Sequence, residues 1–259
     1  MADPLPAVFF GHGNPMNALS RNRYTEAWAE LGRTIPRPKA ILAISAHWFV
    51  PQTGVTVSTA PKTIHDFGGF PRELYQVLYP APADPELAQR VRKLLAPTAV
   101  TLDESWGLDH GTWSVLCHAY PEADIPVVQL SIDETKPASF HYEIGERLAP
   151  LREEGVLIAG SGNLVHNLHA YAWGRHDVAP YDWAVRFEQE ARDRILSGEN
   201  RELIRYEKFG REALLSIPTP DHYLPLLYVL ATRQPREAAS FPVEGVDGGS
   251  VSMLAVKVG

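Results

Sequence analysis

The chain has 259 residues, 45% of them hydrophobic and 21% charged, an ordinary balance for a soluble globular protein with a sizeable core. A net charge of -7 argues against a nucleic-acid backbone as partner, and no apolar run approaches the ~20 residues of a membrane helix. The single cysteine, Cys117, excludes an internal disulfide and a thiolate metal cluster.

Before Val8 there is no basic n-region and no signal-type apolar segment, so a cytoplasmic protein is expected. Ala7 to Phe10 is a strand-type apolar run that breaks at Gly11-His12-Gly13. Flanking glycines let the backbone turn sharply around His12, which fits a functional histidine better than an ordinary loop histidine. A helix opens near Thr25, with Ala27, Trp28 and Leu31 at helical spacing, and Pro36 and Pro38 end it. Ile41 to Ser45 is apolar on both faces, as a buried parallel strand is. It delivers His47 just past its carboxyl end, where open α/β sheets bind ligands.

Gly54 to Thr59 alternates like a strand. Thr63 to Pro71 then reads as a loop over a pocket, with Gly68-Gly69-Phe70 shaping it. Two roles stand evenly for His65, a substrate contact or a turn cap with Asp66. Pro80 to Pro85 leads into a helix from Pro85 to Leu95 with Leu87, Val91 and Leu94 on one face, and Val100 to Leu102 is a short strand. Thr112 is the candidate N-cap of the next helix, which puts His110 in the loop before a helix N-terminus, a place to meet an anion or simply to cap the turn. Cys117, His118 and His141 read as structural, and a nucleophilic Cys117 is disfavoured.

Ile125 to Ile132 supplies another strand and Pro137 to Leu151 another helix. Val156 to Ala159 is a third histidine-bearing strand, followed by Gly160-Ser161-Gly162-Asn163. His166 and His169 are spaced i, i+3 in a candidate short helix, and His166, nearer the strand, is favoured as the inward one. Tyr181 to Leu196 is amphipathic. Thr219 is the N-cap candidate of a further helix with Pro220 in its first position, so His222 falls in the first turn, facing a pocket or serving the cap. Ser250 to Val258 reads as a strand closing the sheet on one side.

His12, His47, His166 and His222 thus occupy equivalent places after successive strands or at a helix start. Parallel neighbouring strands would make them converge, and a divalent metal explains convergence of neutral imidazoles with open coordination sites. No Gly-X-Ser-X-Gly supports a serine hydrolase, and neither a dinucleotide fingerprint nor a P-loop occurs in context. The expected fold is one α/β domain over 1–259, with a mixed, mostly parallel sheet flanked by helices and the metal at the strand carboxyl ends.

Gly11-His12-Gly13-Asn14-Pro15-Met16, Ser45-Ala46-His47-Trp48, Ile64-His65-Asp66-Phe67-Gly68-Gly69-Phe70-Pro71, Leu108-Asp109-His110-Gly111, Ser161-Gly162-Asn163-Leu164-Val165-His166-Asn167 and Pro220-Asp221-His222-Tyr223-Leu224-Pro225 together resemble the 4,5-DOPA extradiol dioxygenase family, within the class III extradiol ring-cleavage dioxygenases. The resemblance runs from about Val8 to Val258. It implies metal ligation by His12, His47 and His222, with His166 at or beside the metal. His222 stands where the wider superfamily usually has a glutamate, so Zn(II) is an alternative occupant to the Fe(II) that oxygenase chemistry requires. It further implies a catechol and O2 as substrates and a semialdehyde product, with His166 as acid and base. His110 would hydrogen-bond oxygen or substrate, and His65 would help enclose the ring. Two other classes remain open, a zinc hydrolase on the same scaffold and a non-catalytic metal-binding protein. No assembly signal indicates an oligomeric state.

Overall fold

The computed structural model describes residues 3–175 and 178–259. Four mutually parallel strands form its centre: β1 (Ala7–Gly11), β2 (Ala40–Val50), β5 (Val127–Asp133) and β6 (Val156–Gly162), in the order β5-β2-β6-β1. Beyond β5 lie β3 (Gly54–Thr56) and β4 (Thr101–Asp103), and beyond β1 lie β10 (Ala255–Val258) and β7 (Ala239–Val243). β10 runs antiparallel to both β1 and β7, and β3 antiparallel to β5, so the sheet is mixed. Among the described residues, no helix is long and apolar enough to cross a membrane.

The central strands are apolar on successive residues because both faces are covered. Phe9, Leu42, Ile44 and Ile158 join one core with α4 (Ala138–Leu148), α6 (Asp182–Ser197) and α8 (Leu224–Ala231). Val8, Phe10, Ile41 and Leu157 join the other, against α1 (Arg23–Thr34) and α3 (His110–Ala119). The period of two along each strand assigns neighbours to opposite cores. A parallel sheet so covered opens at its carboxyl edge, where the loops after β1, β2 and β6 gather.

Several boundaries differ from the sequence expectation. The last segment is interrupted: β9 (Val251–Ser252) pairs with β8 (Val246–Asp247), and only β10 enters the main sheet, inside it, with β7 as the edge. The 137–151 helix is cut at Pro150, whose missing N–H starts the short α5 (Pro150–Glu153) instead. Residues 166–169 form no helix. α3 starts at His110, because Asp109 rather than Thr112 caps it through the Thr112 N–H. α8 starts only at Leu224, so His222 sits in the turn before it, closed by Leu224 N–H donating to the Pro220 carbonyl at 2.9 Å.

Candidate metal centre and its cavity

β1 ends at Gly11, and the next residue, His12, is anchored as its N–H donates to the Gly162 carbonyl at 3.0 Å. β2 carries His47 within the strand, not beyond it. The β2–β5 register shifts between Ile44 and Phe49, an irregularity of the kind that re-aims side chains near functional sites. Ser45 on β2 faces Ser161 on β6 in register, and the two serines fix the N-terminus of α3. Ser45 Oγ donates to Asp109 at 2.6 Å, and Ser161 Oγ donates to the Gly111 carbonyl at 2.5 Å. A Cβ at Gly111 would collide with Ser45 Oγ and come 2.9 Å from His47 Cδ2, so only glycine lets α3 approach. A Cβ at Gly162 would likewise run into the His222 carbonyl, which accepts from Asn163 N–H at 2.9 Å.

The other ring nitrogens set the tautomers. Ser161 spends its one proton on Gly111, so it accepts from His12 Nδ1–H at 2.9 Å. Asp221 accepts from His222 Nδ1–H, and an Asp66 oxygen lies 3.4 Å from His47 Nδ1. Each ring therefore turns an Nε2 lone pair inward. His12 Nε2 and His47 Nε2 stand 3.2 Å apart, and one nitrogen from each of His12, His47 and His222 lies within 4.8 Å of the others.

Lone pairs at that separation repel unless a cation lies between them. A proton is a poor candidate. Burial first, then neighbouring His222 and His110, holds His12 well below its ordinary pKa, and burial, then His110 and His222, does the same to His47. Neutral imidazoles with oxygen acceptors behind them are the donor set of a divalent metal, and these residues fit one.

His166 is not in that trio. Its ring stacks on His222 with centroids 3.5 Å apart and planes 7° off parallel, and its backbone bridges Val251. Burial, then His222, lowers it to about 3 against the pull of Asp221, well under the near-neutral titration expected from its residue type. His169 is exposed.

His110 is brought in beside His47, ring centroids 3.8 Å apart. Asp66 grips it twice, accepting from its backbone N–H and from Nδ1–H, each at 2.9 Å. Burial would raise the Asp66 pKa, but the hydrogen bonds and charge of His110 outweigh it and hold the carboxyl low. Behind His110, Asp109 is wholly buried and bonded by Ser45 and Gln129.

A cavity of about 220 Å³ opens over these rings, lined by His12, His47, His110, His166 and His222. Phe70 of the predicted loop lines it too. His65 does not: its Nε2 meets the Val77 carbonyl at 3.1 Å and its ring packs on Phe67 and Trp113, so it braces the loop from behind.

Leu168, Tyr171, Trp173 and Asp247 also line the cavity and were not foreseen from the sequence. Neither were the carboxylates Asp66 and Asp221, although a visible signal existed: His65-Asp66, Asp109-His110 and Asp221-His222 each set an acid beside a histidine.

The family described as the catalytic LigB subunit of aromatic ring-opening dioxygenase matches residues 12–237. A curated 4,5-DOPA dioxygenase extradiol of Escherichia coli (strain K12) is 52% identical over 259 residues, covering 98% of this chain and 95% of that protein. One of the same name from Beta vulgaris is 40% identical over 256 residues, covering 96% and 94%. A crystal structure of an uncharacterised protein from Escherichia coli K12 superposes with a TM-score of 0.87 at 48% identity, covering 98% of this chain and 100% of that one.

Proposed function

The chain belongs to the LigB family of aromatic ring-opening dioxygenase catalytic subunits, and from that premise we propose that residues 1–259 form one catalytic unit that opens a catechol ring beside its diol. O2 would be the co-substrate, one ion held by His12, His47 and His222 the cofactor, and a semialdehyde the product. The observation that carries this reading is the convergence of one ring nitrogen from each of His12, His47 and His222 within 4.8 Å of the others. The names of the relatives make DOPA the first substrate to try.

When bound, Fe(II) would supply the electronic link between diol and O2 that Zn(II), without redox chemistry, does not. The side chains do the rest. His166, neutral and lining the cavity, accepts a proton from one catechol hydroxyl. It then returns that proton to an oxygen of the opened ring. His110 keeps Nδ1–H on Asp66 and turns Nε2 to the second hydroxyl, with the carboxylate behind it favouring any positive charge the ring gains. Phe70 and Tyr171 shield the aromatic ring from water. Both oxygen atoms enter the product, so oxidation of the ring balances reduction of O2 and no external reductant is required.

The test strips metal anaerobically, reloads Fe(II) or Zn(II), and follows oxygen uptake and product absorbance with DOPA and simpler catechols. Uptake matched to ring-opened product with Fe(II) alone is expected. No uptake from a fully iron-loaded protein on any catechol would overturn the reading and favour a zinc hydrolase.

A further inference from the structure

Resting on the catechol reading above, we propose that Asp247 is a specificity-determining residue that selects catechols whose side chain carries an ammonium group. Among the described residues lining the cavity, Asp247 is the sole side chain of fixed charge, and no lysine or arginine is present. A carboxylate in the wall favours a cationic substituent and disfavours an anionic one.

The placement of Asp247 is built in. β8 ends on it, and it pairs across the hairpin with Val251. Val251 in turn bridges the backbone of His166. Asp247 thus stands two strand spacings, roughly 10 Å of backbone, from the candidate base. That is the scale of an aromatic ring with a two-carbon chain.

Tyr171 OH donates to its carboxylate. Gly248, at φ 52°, leaves the room that the Tyr171 ring occupies, since a Cβ there would run into the ring. An amino-acid tail also carries an acid, and here the geometry again suits it. Asn14 and Asp247 border a second cavity of about 700 Å³ where Arg21 and Arg23 stand, so the tail's carboxylate is not driven against Asp247.

The experiment measures binding rather than turnover. The full-length Zn(II)-loaded protein is titrated calorimetrically under nitrogen with three probes. These are DOPA, 3-(3,4-dihydroxyphenyl)propionate, which lacks only the amine, and 4-methylcatechol, which has no charged tail. Wild type should bind DOPA about tenfold or more tighter than the deamino acid, the scale of one charged hydrogen bond. In D247N, whose side chain still accepts from Tyr171, that ratio should fall to within about twofold, and Y171F should lower it partway by removing one donor that orients the acid. Binding of 4-methylcatechol reports that each variant is folded.

A ratio that survives in D247N, or a wild type with no preference, overturns the assignment while the catechol reading stands. Failure of wild type to bind even 4-methylcatechol overturns the catechol reading, and the role of Asp247 with it.

Discussion

His12 and Trp173 line the same cavity and share little else. His12 is 1% exposed, sits at the end of a central strand and is fixed through both backbone and ring. Trp173 is 62% exposed and is carried by the irregular segment after β6, with Tyr171 against its edge at 4.8 Å. The comparison separates two tasks. The sheet ends anchor the donor atoms through backbone and ring hydrogen bonds, while the segments above them supply the cavity wall. Changes at the floor should therefore act on chemistry and metal together, and changes at the mouth on affinity alone.

The largest effect expected is at the floor. His12→Ala or His222→Ala removes one of three converging nitrogens, and turnover and metal stoichiometry should collapse together. Oxygen uptake beside metal analysis of the same sample checks this. A variant that turns over at full rate with its metal gone would break the distinction between floor and mouth.

A histidine outside both regions sharpens it. His141 is as buried as His12, but its Nδ1 meets a tyrosine, Tyr228 Oη at 2.8 Å, rather than an opposing ring, and its Nε2 has no hydrogen-bond partner among the described residues. Burial lowers it to about 4 despite the pull of Asp133. The folded pKa lies below the unfolded value of 6.5, so between these limits the unfolded chain binds the extra proton. Stability is fully present above pH 6.5 and falls as the pH drops toward 4, by about 3 kcal/mol in all. Urea midpoints at pH 7 and pH 5 should converge in His141→Asn relative to wild type, whatever the variant's absolute stability. Equal slopes in the two proteins would remove His141 as the source.

A smaller loss is expected one step behind the floor. Asp221→Asn keeps the shape but weakens the acceptor that fixes the His222 tautomer, and weakening the hydrogen bond behind a metal-binding histidine costs about 10–100-fold in metal affinity or activity. Competition with a chelator gives the affinity directly. An unchanged value would mean that the turn before α8 alone orients His222.

The same division decides how much was legible in the sequence. Runs such as Ile41 to Ser45 and Val156 to Ala159 announce strands because burial on both faces demands apolar residues on both, and a histidine at the end of such a run is conspicuous. The parallel core followed from that pattern, and so did the gathering of His12, His47 and His166 around one cavity. The side His65 faces was left open by the sequence because loop direction is set by tertiary partners, here the Val77 carbonyl and Trp113, which no local spacing encodes. Tyr171 and Asp247 were hidden for a similar reason. They lie 76 residues apart in segments without periodicity, joined where Ala172 N–H donates to the Gly248 carbonyl at 3.0 Å in the β8–β9 turn. The start of α3 was misplaced because Asp109 and Thr112 are both good caps. The choice fell to Asp109, whose carboxylate also accepts from Ser45 across the sheet.

The mouth itself should be the most forgiving place. Trp173→Ala removes a mostly exposed ring, so no core cavity forms, and stability should move by no more than about 0.5 kcal/mol. What is lost is one apolar wall of the cavity and its edge contact with Tyr171. The Michaelis constant for a catechol should therefore rise a few-fold with kcat nearly constant, the pattern of a contact made equally in ground and transition states. Steady-state kinetics on the iron-loaded protein separates the two constants. A fall in kcat larger than the rise in KM would place Trp173 among the groups that hold the reacting geometry, and the line between floor and mouth would then have to be redrawn above Tyr171.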